Sequence, residues 1–342
     1  MKALLIGGTG TISLSISRLL IQRGWELYLL NRGKRSIVFP GGAIHLQGDI
    51  NDESAMADLL AHEKFDVVAD FIAYTPEQVE RDYRLFSGKT KQYLFISSAS
   101  AYQKPPAHYL ITESTPLANP YWQYSRDKIA CEELLLRLYR EQGFPVTIVR
   151  PSHTYDERSI PLGLHGKNGS WSVVKRMQQG KPVVIHGDGT SLWTLTHSID
   201  FAKGFVGLMG NIHALGEAVQ ITSDETVTWN QIYSVIASAL GVPLRAVHVS
   251  TDFLCACAGE QYDLTGSLLG DKSNSVVFDN AKLKRLVPGF TATIRVDEGL
   301  TQAVRYLADT PELQHPDQEF DLWCDRVIEA QQTALAHFQA NA

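Results

Sequence analysis

Two side chains in this chain are spaced so that they could move a proton on or off a substrate hydroxyl. Tyr124 and Lys128 lie four residues apart on a predicted helix, so they share one helix face. A tyrosine near its free pKa of about 10 is a poor base at neutral pH, and a neighbouring ammonium would lower that pKa by stabilising the phenolate. The pair could then act as a general acid or base. The alternative is an amphipathic helix with an unrelated surface tyrosine and lysine.

A serine-rich segment, Ser97–Tyr102, follows the apolar run Tyr93–Ile96. A hydroxyl at the C-terminal end of a parallel strand points into the crevice where such sheets bind ligands. It could hold the same substrate oxygen that Tyr124 would deprotonate. The alternative is an ordinary serine-rich turn.

The N-terminus has the pattern of a phosphate-binding turn. The apolar run Lys2–Ile6 leads into Gly7-Gly8-Thr9-Gly10, and a helical pattern extends from Thr11 to Arg23. Glycine lets the backbone approach a pyrophosphate, while the free N–H groups and positive end of the helix attract its negative charge. The strand–turn–helix order predicts a nucleotide cofactor site, although a lone glycine motif would also mark a simple strand-to-helix turn.

Apolar runs alternate with helical patterns over the first 150 residues, which predicts a parallel sheet with helices on both faces. The predicted strands are Lys2–Ile6, Glu26–Leu30, Ala43–Leu46, Asp66–Phe71, Gln92–Ser97 and Val146–Arg150. The predicted helices between them are Thr11–Arg23, Glu53–His62, Pro76–Phe86 and Tyr121–Gln142. The fold class is therefore α/β, a Rossmann-type doubly wound parallel sheet.

After Pro151 the regularity fades, and residues 163–169 are glycine-rich and predict a loop. Further helices are predicted at Trp171–Gln179, Ile199–Met209, Asn230–Leu240, Asp297–Ala308 and Pro316–Phe338. We expect a dinucleotide-binding domain over residues 1–156 plus roughly 190–222. Roughly 157–189 and 223–342 would form a smaller C-terminal α/β substrate lobe.

The bulk composition narrows the class of protein. The chain has 342 residues, of which 44% are hydrophobic and 20% charged, which suits a soluble protein with a sizeable core. Its net charge of −6 argues against a nucleic-acid partner, and no apolar run is long enough to span a membrane. The N-terminus lacks the pattern of a signal peptide, so a cytoplasmic location is expected. The scattered cysteines predict no metal site.

Several motifs together resemble the short-chain dehydrogenase/reductase superfamily, in its extended, sugar-nucleotide epimerase/dehydratase-like branch. They are Gly7–Ile12, Gly48-Asp49-Ile50, Ser97–Tyr102, Tyr124 with Lys128, Arg150-Pro151, and Gly187-Asp188-Gly189 with His197-Ser198-Ile199-Asp200. They occur in the family's order and spacing over about residues 1–205, and the resemblance is vague beyond. A homodimer paired through the helix Tyr121–Gln142 is typical of the family, and Leu134, Leu135 and Leu138 could serve that interface or the protein's own core.

The resemblance implies a role for each matching position. Ser98, Tyr124 and Lys128 would be the catalytic set, with Lys128 also holding the nicotinamide ribose. The pyrophosphate would lie against Gly7, Thr9, Gly10, Thr11 and Ile12. Asp49 and Ile50 would contact the adenine, and Phe71, Ile72 and Ala73 would border the cofactor riboses. Pro151 and His153 would pass the nicotinamide, and His153 would either touch substrate or be a structural histidine.

Two departures from the family pattern concern the cofactor. Ser13 replaces the third glycine, so we expect a slightly shifted helix. Asn31-Arg32 stands where an NAD enzyme usually carries a carboxylate for the ribose, with Lys34 and Arg35 close behind. Arg32 could pair with a 2′-phosphate. This favours NADP, with NAD possible and a solvated basic loop as the alternative.

Two further departures concern the substrate. Trp193 stands where nucleotide-sugar enzymes of the branch commonly carry an arginine for the substrate diphosphate. It would offer the substrate stacking and one N–H donor, or else join the two lobes as a core residue. Ala99-Ser100 occupies the place of the acidic pair of the 4,6-dehydratases, so dehydration ranks below redox chemistry.

The sequence thus predicts an NAD(P)-dependent oxidoreductase or epimerase that acts on a hydroxyl or carbonyl of a sugar, sugar derivative or polyol. The alternative is a redox-inactive binding protein of the same fold, either a sensor of NADP or an RNA-associated protein. The retained Ser98, Tyr124 and Lys128 argue against that alternative, as does the acidic net charge.

Overall fold

The computed structural model describes residues 1–33, 39 and 41–341. Its strands are β1 (Lys2–Ile6), β2 (Glu26–Asn31), β3 (Ile44–Gln47), β4 (Val67–Asp70), β5 (Tyr93–Ile96), β6 (Leu110–Ile111), β7 (Val146–Pro151), β8 (His153–Tyr155), β9 (Val183–His186), β10 (Leu192–Trp193), β11 (Leu195–His197), β12 (Ala218–Ile221), β13 (Val227–Thr228), β14 (Ala246–Val249) and β15 (Val277–Phe278). Its α-helices are α1 (Thr11–Gln22), α2 (Glu53–Leu59), α3 (Pro76–Phe86), α4 (Gln123–Gln142), α5 (Trp171–Gln178), α6 (Ser198–Leu208), α7 (Trp229–Ala239), α8 (Thr251–Ala258), α9 (Ala281–Leu286), α10 (Val296–Asp309) and α11 (Gln318–Ala340).

The central sheet has seven strands in the order β12-β7-β5-β4-β1-β2-β3, and every pairing in it is parallel. The chain starts in the middle, builds one half outwards through β2 and β3, and then crosses back to β4 on the other side of β1. This reversal of strand order is the switch point of a doubly wound sheet, outside which ligands bind. The predicted α/β fold of Rossmann type is confirmed.

Alternate residues of the strands point to opposite faces and feed two separate cores. Leu5 of β1 packs in the core that is covered by α1 and α6. Its neighbours Leu4 and Ile6 pack in the core that is covered by α3 and α4. Because both faces are covered, the strands are apolar throughout and show no polar alternation.

The ends of the site-bearing helices follow from local sequence. Thr75 and Gln78 form a capping box around the start of α3, and Pro76 takes the first helical position, where its missing N–H costs nothing. Gly143 ends α4 in a left-handed conformation with φ of +67°. Leu134 and Leu135 of α4 are buried in the protein's own core, so they are not available as a dimer surface.

A third core lies in the C-terminal half, around Trp229, Tyr233 and Ile236 of α7, which packs against α10. The small parallel pair of β9 and β14 lies beside α11. The sequence did not predict α8, α9 or the π-helical segment Thr265–Lys272. These pieces are short and depend on tertiary contacts, such as those of the fully buried Leu268.

No helix in the described part of the chain is long and apolar enough to cross a membrane. Across residues 1–33, 39 and 41–341, no cluster of three or more His, Cys, Asp or Glu side chains could hold a metal ion.

Candidate active site

A cleft of about 750 Å³ opens at the carboxyl ends of β1, β2 and β4. Most of the predicted cofactor residues line it, namely Gly7, Thr9, Gly10, Thr11, Ile12, Asn31, Arg32, Asp49, Ile50, Phe71 and Ile72. The sequence did not single out Asn51, Tyr74 or Gln78, which also line it. The cleft thus brings together residues at the ends of five strands, because Gly48 follows β3 and Ile96 ends β5.

Gly7 is the tightest point of the glycine turn. Its φ is +85°, and a Cβ atom there would lie 2.8 Å from Cγ2 of Ile72. Any other residue would therefore be strained and would crowd the side chain of Ile72. Beyond the turn, Thr11 and Ile12 are the first residues of α1, whose backbone N–H groups have no acceptor within the helix. This donor set suits an anionic group such as a pyrophosphate.

Ser13 does more than substitute for the family's third glycine. Its buried hydroxyl donates to the carbonyl of Gly7 at 2.7 Å and accepts from the N–H of Gly10 at 2.9 Å. The side chain thus bridges both ends of the turn and fixes its shape. One consequence is that the Gly10 N–H is already occupied within the turn.

The end of β2 carries no carboxylate. The side chain of Asn31 accepts a hydrogen bond from the N–H of Gly33 at 2.9 Å, and Arg32 is exposed at the cleft. Lys34 and Arg35 lie outside the described residues. Arg32 is thus placed where a group at the rim of the cleft could pair with it.

A buried ion network shapes the loop after β4. The Oδ1 atom of Asp70 accepts from the N–H groups of Ile72 at 2.5 Å and Ala73 at 2.9 Å, and Arg81 donates to the other oxygen at 3.4 Å. Arg81 also donates to Asp82, whose pKa is raised well above its usual value by burial and by the charge of Asp70. The network therefore holds the backbone that borders the cleft.

A second cavity, of about 300 Å³, lies at the carboxyl ends of β5 and β7. Ser98, Tyr124, Pro151, His153 and Trp193 line it, as the resemblance implied for Ser98, His153 and Trp193. Pro151 and His153, expected beside the nicotinamide, line this cavity and not the first cleft. The sequence did not predict several further lining residues, which are Ser100, Lys104, Trp122, Ser152, His165 and Asp271.

Lys128 is 2% exposed and lines neither cavity, but it contacts residues that line each of them. Its Nζ donates to the carbonyls of Ala73 and Ile96, both at 2.7 Å, and lies 4.6 Å from the ring centre of Tyr74. Neither Lys128 nor Ala73 lines the first cleft directly. Burial lowers the pKa of Lys128 to about 8. The ring of Tyr124 is 5.8 Å from the same nitrogen, so the predicted pair does share one face of α4.

The acid–base state of Tyr124 differs from the sequence prediction. Burial raises its pKa to about 12, and a hydrogen bond with Ser98 only partly opposes that rise. Lys128 directs its hydrogen bonds to the two backbone carbonyls, so the expected lowering of the tyrosine pKa is not met in this structure. At neutral pH Tyr124 therefore carries its proton and is a proton donor.

Ser98 belongs to a chain of hydroxyl groups. Its Oγ lies 2.8 Å from Oγ of Ser100, which accepts in turn from Ser125 at 2.7 Å. Ser125 is fully buried and directly follows Tyr124 on α4. The chain thus ties the strand end to the helix that carries the tyrosine.

His153 and Trp193 form a pair in the wall of the second cavity. The indole N–H of Trp193 donates to Nδ1 of His153 at 3.3 Å. Trp193 is 4% exposed, and its ring centre lies 5.4 Å from the ring centre of Trp229. Burial lowers the pKa of His153 to about 3, so the ring is neutral. Since Nδ1 accepts, the proton is on Nε2, and the single N–H of Trp193 is not available to a substrate.

Comparisons with known proteins identify the family of the chain. The model of the NAD dependent epimerase/dehydratase family matches residues 3–221. The chain is 26% identical over 290 residues to the 2'-dehydrokanamycin reductase of Streptomyces kanamyceticus, an alignment that covers 85% of this chain and 80% of that protein. It is 29% identical over 255 residues to the chloroplast stem-loop binding protein of 41 kDa b of Arabidopsis thaliana, covering 71% and 64% respectively.

Among solved structures, the UDP-glucuronic acid 4-epimerase from Bacillus cereus matches with a TM-score of 0.71 at 18% identity, over 90% of this chain and 99% of that one. A likeness at this identity supports the fold. The family model spans more than half of the chain, so the protein belongs to the NAD-dependent epimerase/dehydratase family.

Proposed function

We propose that the protein is an NAD(P)-dependent oxidoreductase or epimerase that acts on a hydroxyl or carbonyl of a sugar, sugar derivative or polyol. The observation that carries the proposal is that Lys128 contacts residues of both cavities. Its partner Ile96 lines the cleft with the glycine turn, while Tyr124, one helical turn away, lines the second cavity with Ser98. A cofactor in the cleft and a substrate in the cavity would meet at these residues.

The bound nicotinamide would supply or accept the hydride at its C4 atom. When the bound cofactor reduces a ketone, Tyr124 would donate the proton that the oxygen of the resulting alcohol needs. Ser98 holds that oxygen by a hydrogen bond. Lys128, which the family resemblance assigns to the nicotinamide ribose, has two of its three donors on the carbonyls of Ala73 and Ile96, and it would keep a positive charge near Tyr124. In the reverse direction Tyr124 would accept the proton of the alcohol, and Ser98 would hold the alcohol oxygen by a hydrogen bond.

The reductase or dehydrogenase outcome has more support than epimerisation. The relative that aligns with 85% of this chain is named a reductase. The UDP-glucose 4-epimerase of Lactobacillus helveticus, at 31% identity, aligns with only 44% of it. An enzyme that releases its product consumes cofactor in proportion to substrate, whereas an epimerase regenerates it in each cycle.

We propose NADP as the preferred cofactor because Arg32 borders the cleft and no carboxylate follows β2. An exposed guanidinium can form a charge-assisted fork with a 2′-phosphate. The Arg32→Ala variant should therefore lose about tenfold or more in affinity for NADPH and little for NADH, measured by cofactor fluorescence. Equal losses for both cofactors would contradict the assignment of Arg32 to the phosphate.

We also propose that the C-terminal half, roughly 157–189 and 223–342, supplies the substrate lobe. His165, Asp271 and Lys272 from these segments line the same cavity as Tyr124. Differences in substrate preference among relatives would then arise from these segments, whereas residues 1–156 would form the cofactor cleft.

A binding protein without redox activity is the second candidate, because one relative is named a stem-loop binding protein. The net charge of −6 argues against it. One experiment distinguishes the two candidates. It measures cofactor binding together with turnover of reduced cofactor on keto sugars and of oxidised cofactor on polyols. RNA binding that weakens steeply with salt, without any turnover, would favour the second candidate and overturn the first.

A further inference from the structure

The substrate cavity contains a cluster of charged side chains that the reaction described above does not use, of which Lys104 is buried while Asp271 and Lys272 are partly buried. Lys104, Asp271 and Lys272 line it together with the catalytic tyrosine. Lys104 comes from the segment after β5, whereas the other two come from the π-helical segment. Tertiary folding alone brings them together.

The ammonium of Lys104 is poorly satisfied within the protein. The side chain is 2% exposed, yet within the described residues its only charged partner is Oδ1 of Asp271, at 3.9 Å. No acceptor in that part of the chain lies at hydrogen-bond distance from it. A buried lysine carries three donors, and a 3.9 Å ion pair satisfies none of them well.

The ammonium of Lys272 is also incompletely used. Its Nζ donates to the carbonyl of Gly163 at 3.1 Å. The neighbouring His165 points its Nδ1 to the carbonyl of Gly166 at 2.9 Å. Burial lowers the pKa of His165, and that of His153 lies at about 3, so neither ring adds a charge. Both lysines thus keep donors available within the cavity.

The cluster therefore holds two cations against one carboxylate. Burial lowers the pKa values of Lys104 and Lys272 and raises that of Asp271, so each charged form is held at a cost. An uncompensated buried charge is unfavourable, and a ligand that brings a negative charge and acceptor oxygens relieves it. A cationic ligand would increase the imbalance.

We propose that the substrate carries an anionic group, a carboxylate or a phosphate, that binds between Lys104 and Lys272. The inference rests on the proposed function, since it takes this cavity as the substrate site. A volume of about 300 Å³ is at the lower end of ligand pockets and suits a single sugar ring with one acidic group. Trp193, in the place of the family's phosphate-binding arginine, thus does not leave the substrate site without cations.

Calorimetric titration of the protein, with and without saturating NADP, tests this with four probes. These are D-glucuronate, D-glucose 6-phosphate, neutral D-glucose and cationic D-glucosamine. The two anions should bind at least about tenfold more tightly than glucose, and glucosamine should bind least. The stronger of the two anions identifies the group as carboxylate or phosphate.

Two variants locate the binding group. Lys104→Met and Lys272→Met should each lose about tenfold or more in affinity for the anions and leave glucose unchanged. Lys175→Met is the matched control, since Lys175 is exposed on α5, and it should change nothing. Lys104→Gln provides a second variant at the same site. NADP binding by every variant serves as the check that the fold is intact.

Several results would overturn the proposal. They are equal affinity of wild-type protein for all probes, no binding of any probe by protein that does hold NADP, and equal losses for glucose and the anions in the lysine variants. In each case the proposed redox function still stands if NADP binds and a neutral sugar is turned over. Failure to bind either nicotinamide cofactor would instead remove the proposed function itself.

Discussion

Replacing Glu132 with glutamine is expected to destabilise the fold and loosen the helix that carries the candidate catalytic residues. Glu132 lies on α4, one turn after Lys128, and is 1% exposed. It accepts from the hydroxyl of Ser97 on one side and from Nε of Arg150 at 3.0 Å on the other. The carboxylate thus ties α4 to the ends of the strands that line the substrate cavity.

The size of the effect follows from what the substitution leaves behind. Arg150 is 4% exposed, and its Nη2 lies 2.5 Å from Oε2 of Glu132. Burial alone would lower the pKa of Arg150, but the hydrogen bonds to Glu132 raise it above its usual value. Glutamine keeps the volume and one acceptor but leaves a buried guanidinium without a counter-charge. Breaking a buried pair in this way costs about 3 kcal/mol or more, roughly a 150-fold change in the unfolding equilibrium.

Urea unfolding followed by circular dichroism measures this loss. Glu133→Gln is the matched control, because it makes the same chemical change at the next, exposed position and should stay within about 0.5 kcal/mol of wild type. The double variant Glu132→Leu with Arg150→Met removes both charges and should recover part of the loss. If Glu132→Gln is as stable as Glu133→Gln, the ion pair does not hold α4 in place and the reasoning is wrong.

Two further outcomes are expected. Ser13→Ala removes the hydroxyl that bridges the glycine turn, so it should lower the free energy of unfolding by about 1–3 kcal/mol and weaken cofactor binding. The control Ser238→Ala, at an exposed helical position, should do neither. An unchanged cofactor affinity in Ser13→Ala would contradict the bridging role. For carbonyl reduction, kcat/KM should be constant at low pH and fall as the pH rises through about 8. Over this range Tyr124 stays protonated, because burial raises its pKa to about 12. Lys128 loses its charge, because burial lowers its pKa to about 8. A rate of reduction that rises with pH over this range would contradict the assignment of the proton donor.

Elements with strong local signals could be predicted from the sequence. The bounds of β1 and α3 agree with the structure at both ends, because the glycine turn stops the strand and Pro76 starts the helix. In contrast, α8 and the π-helical segment have no lasting periodicity, and their conformation is set by packing against other elements. Local patterns carry no information about such contacts.

The candidate site likewise contains residues that local motifs indicate and residues that only the fold brings together. Residues that belong to a motif could be predicted to act together: Ser98 and Tyr124 were expected at one substrate oxygen, and both line the same cavity. The sequence did not indicate Lys104, because its proposed role depends on Asp271, which is distant in the chain and lies near it only in the folded protein. The protonation state of Tyr124 was also out of reach, since the burial that raises its pKa is a property of the whole site.

Transfer of deuterium from reduced cofactor to substrate tests the central claim most directly. Protein supplied with NADPH deuterated at C4 and a keto sugar that it accepts should place one deuterium on the new alcohol carbon, from one face of the nicotinamide only. Tyr124→Phe should bind NADPH as wild type does and lose turnover by about 10²–10⁴-fold. Product without deuterium, or full turnover by the phenylalanine variant, would contradict hydride transfer at this site with Tyr124 as the proton donor.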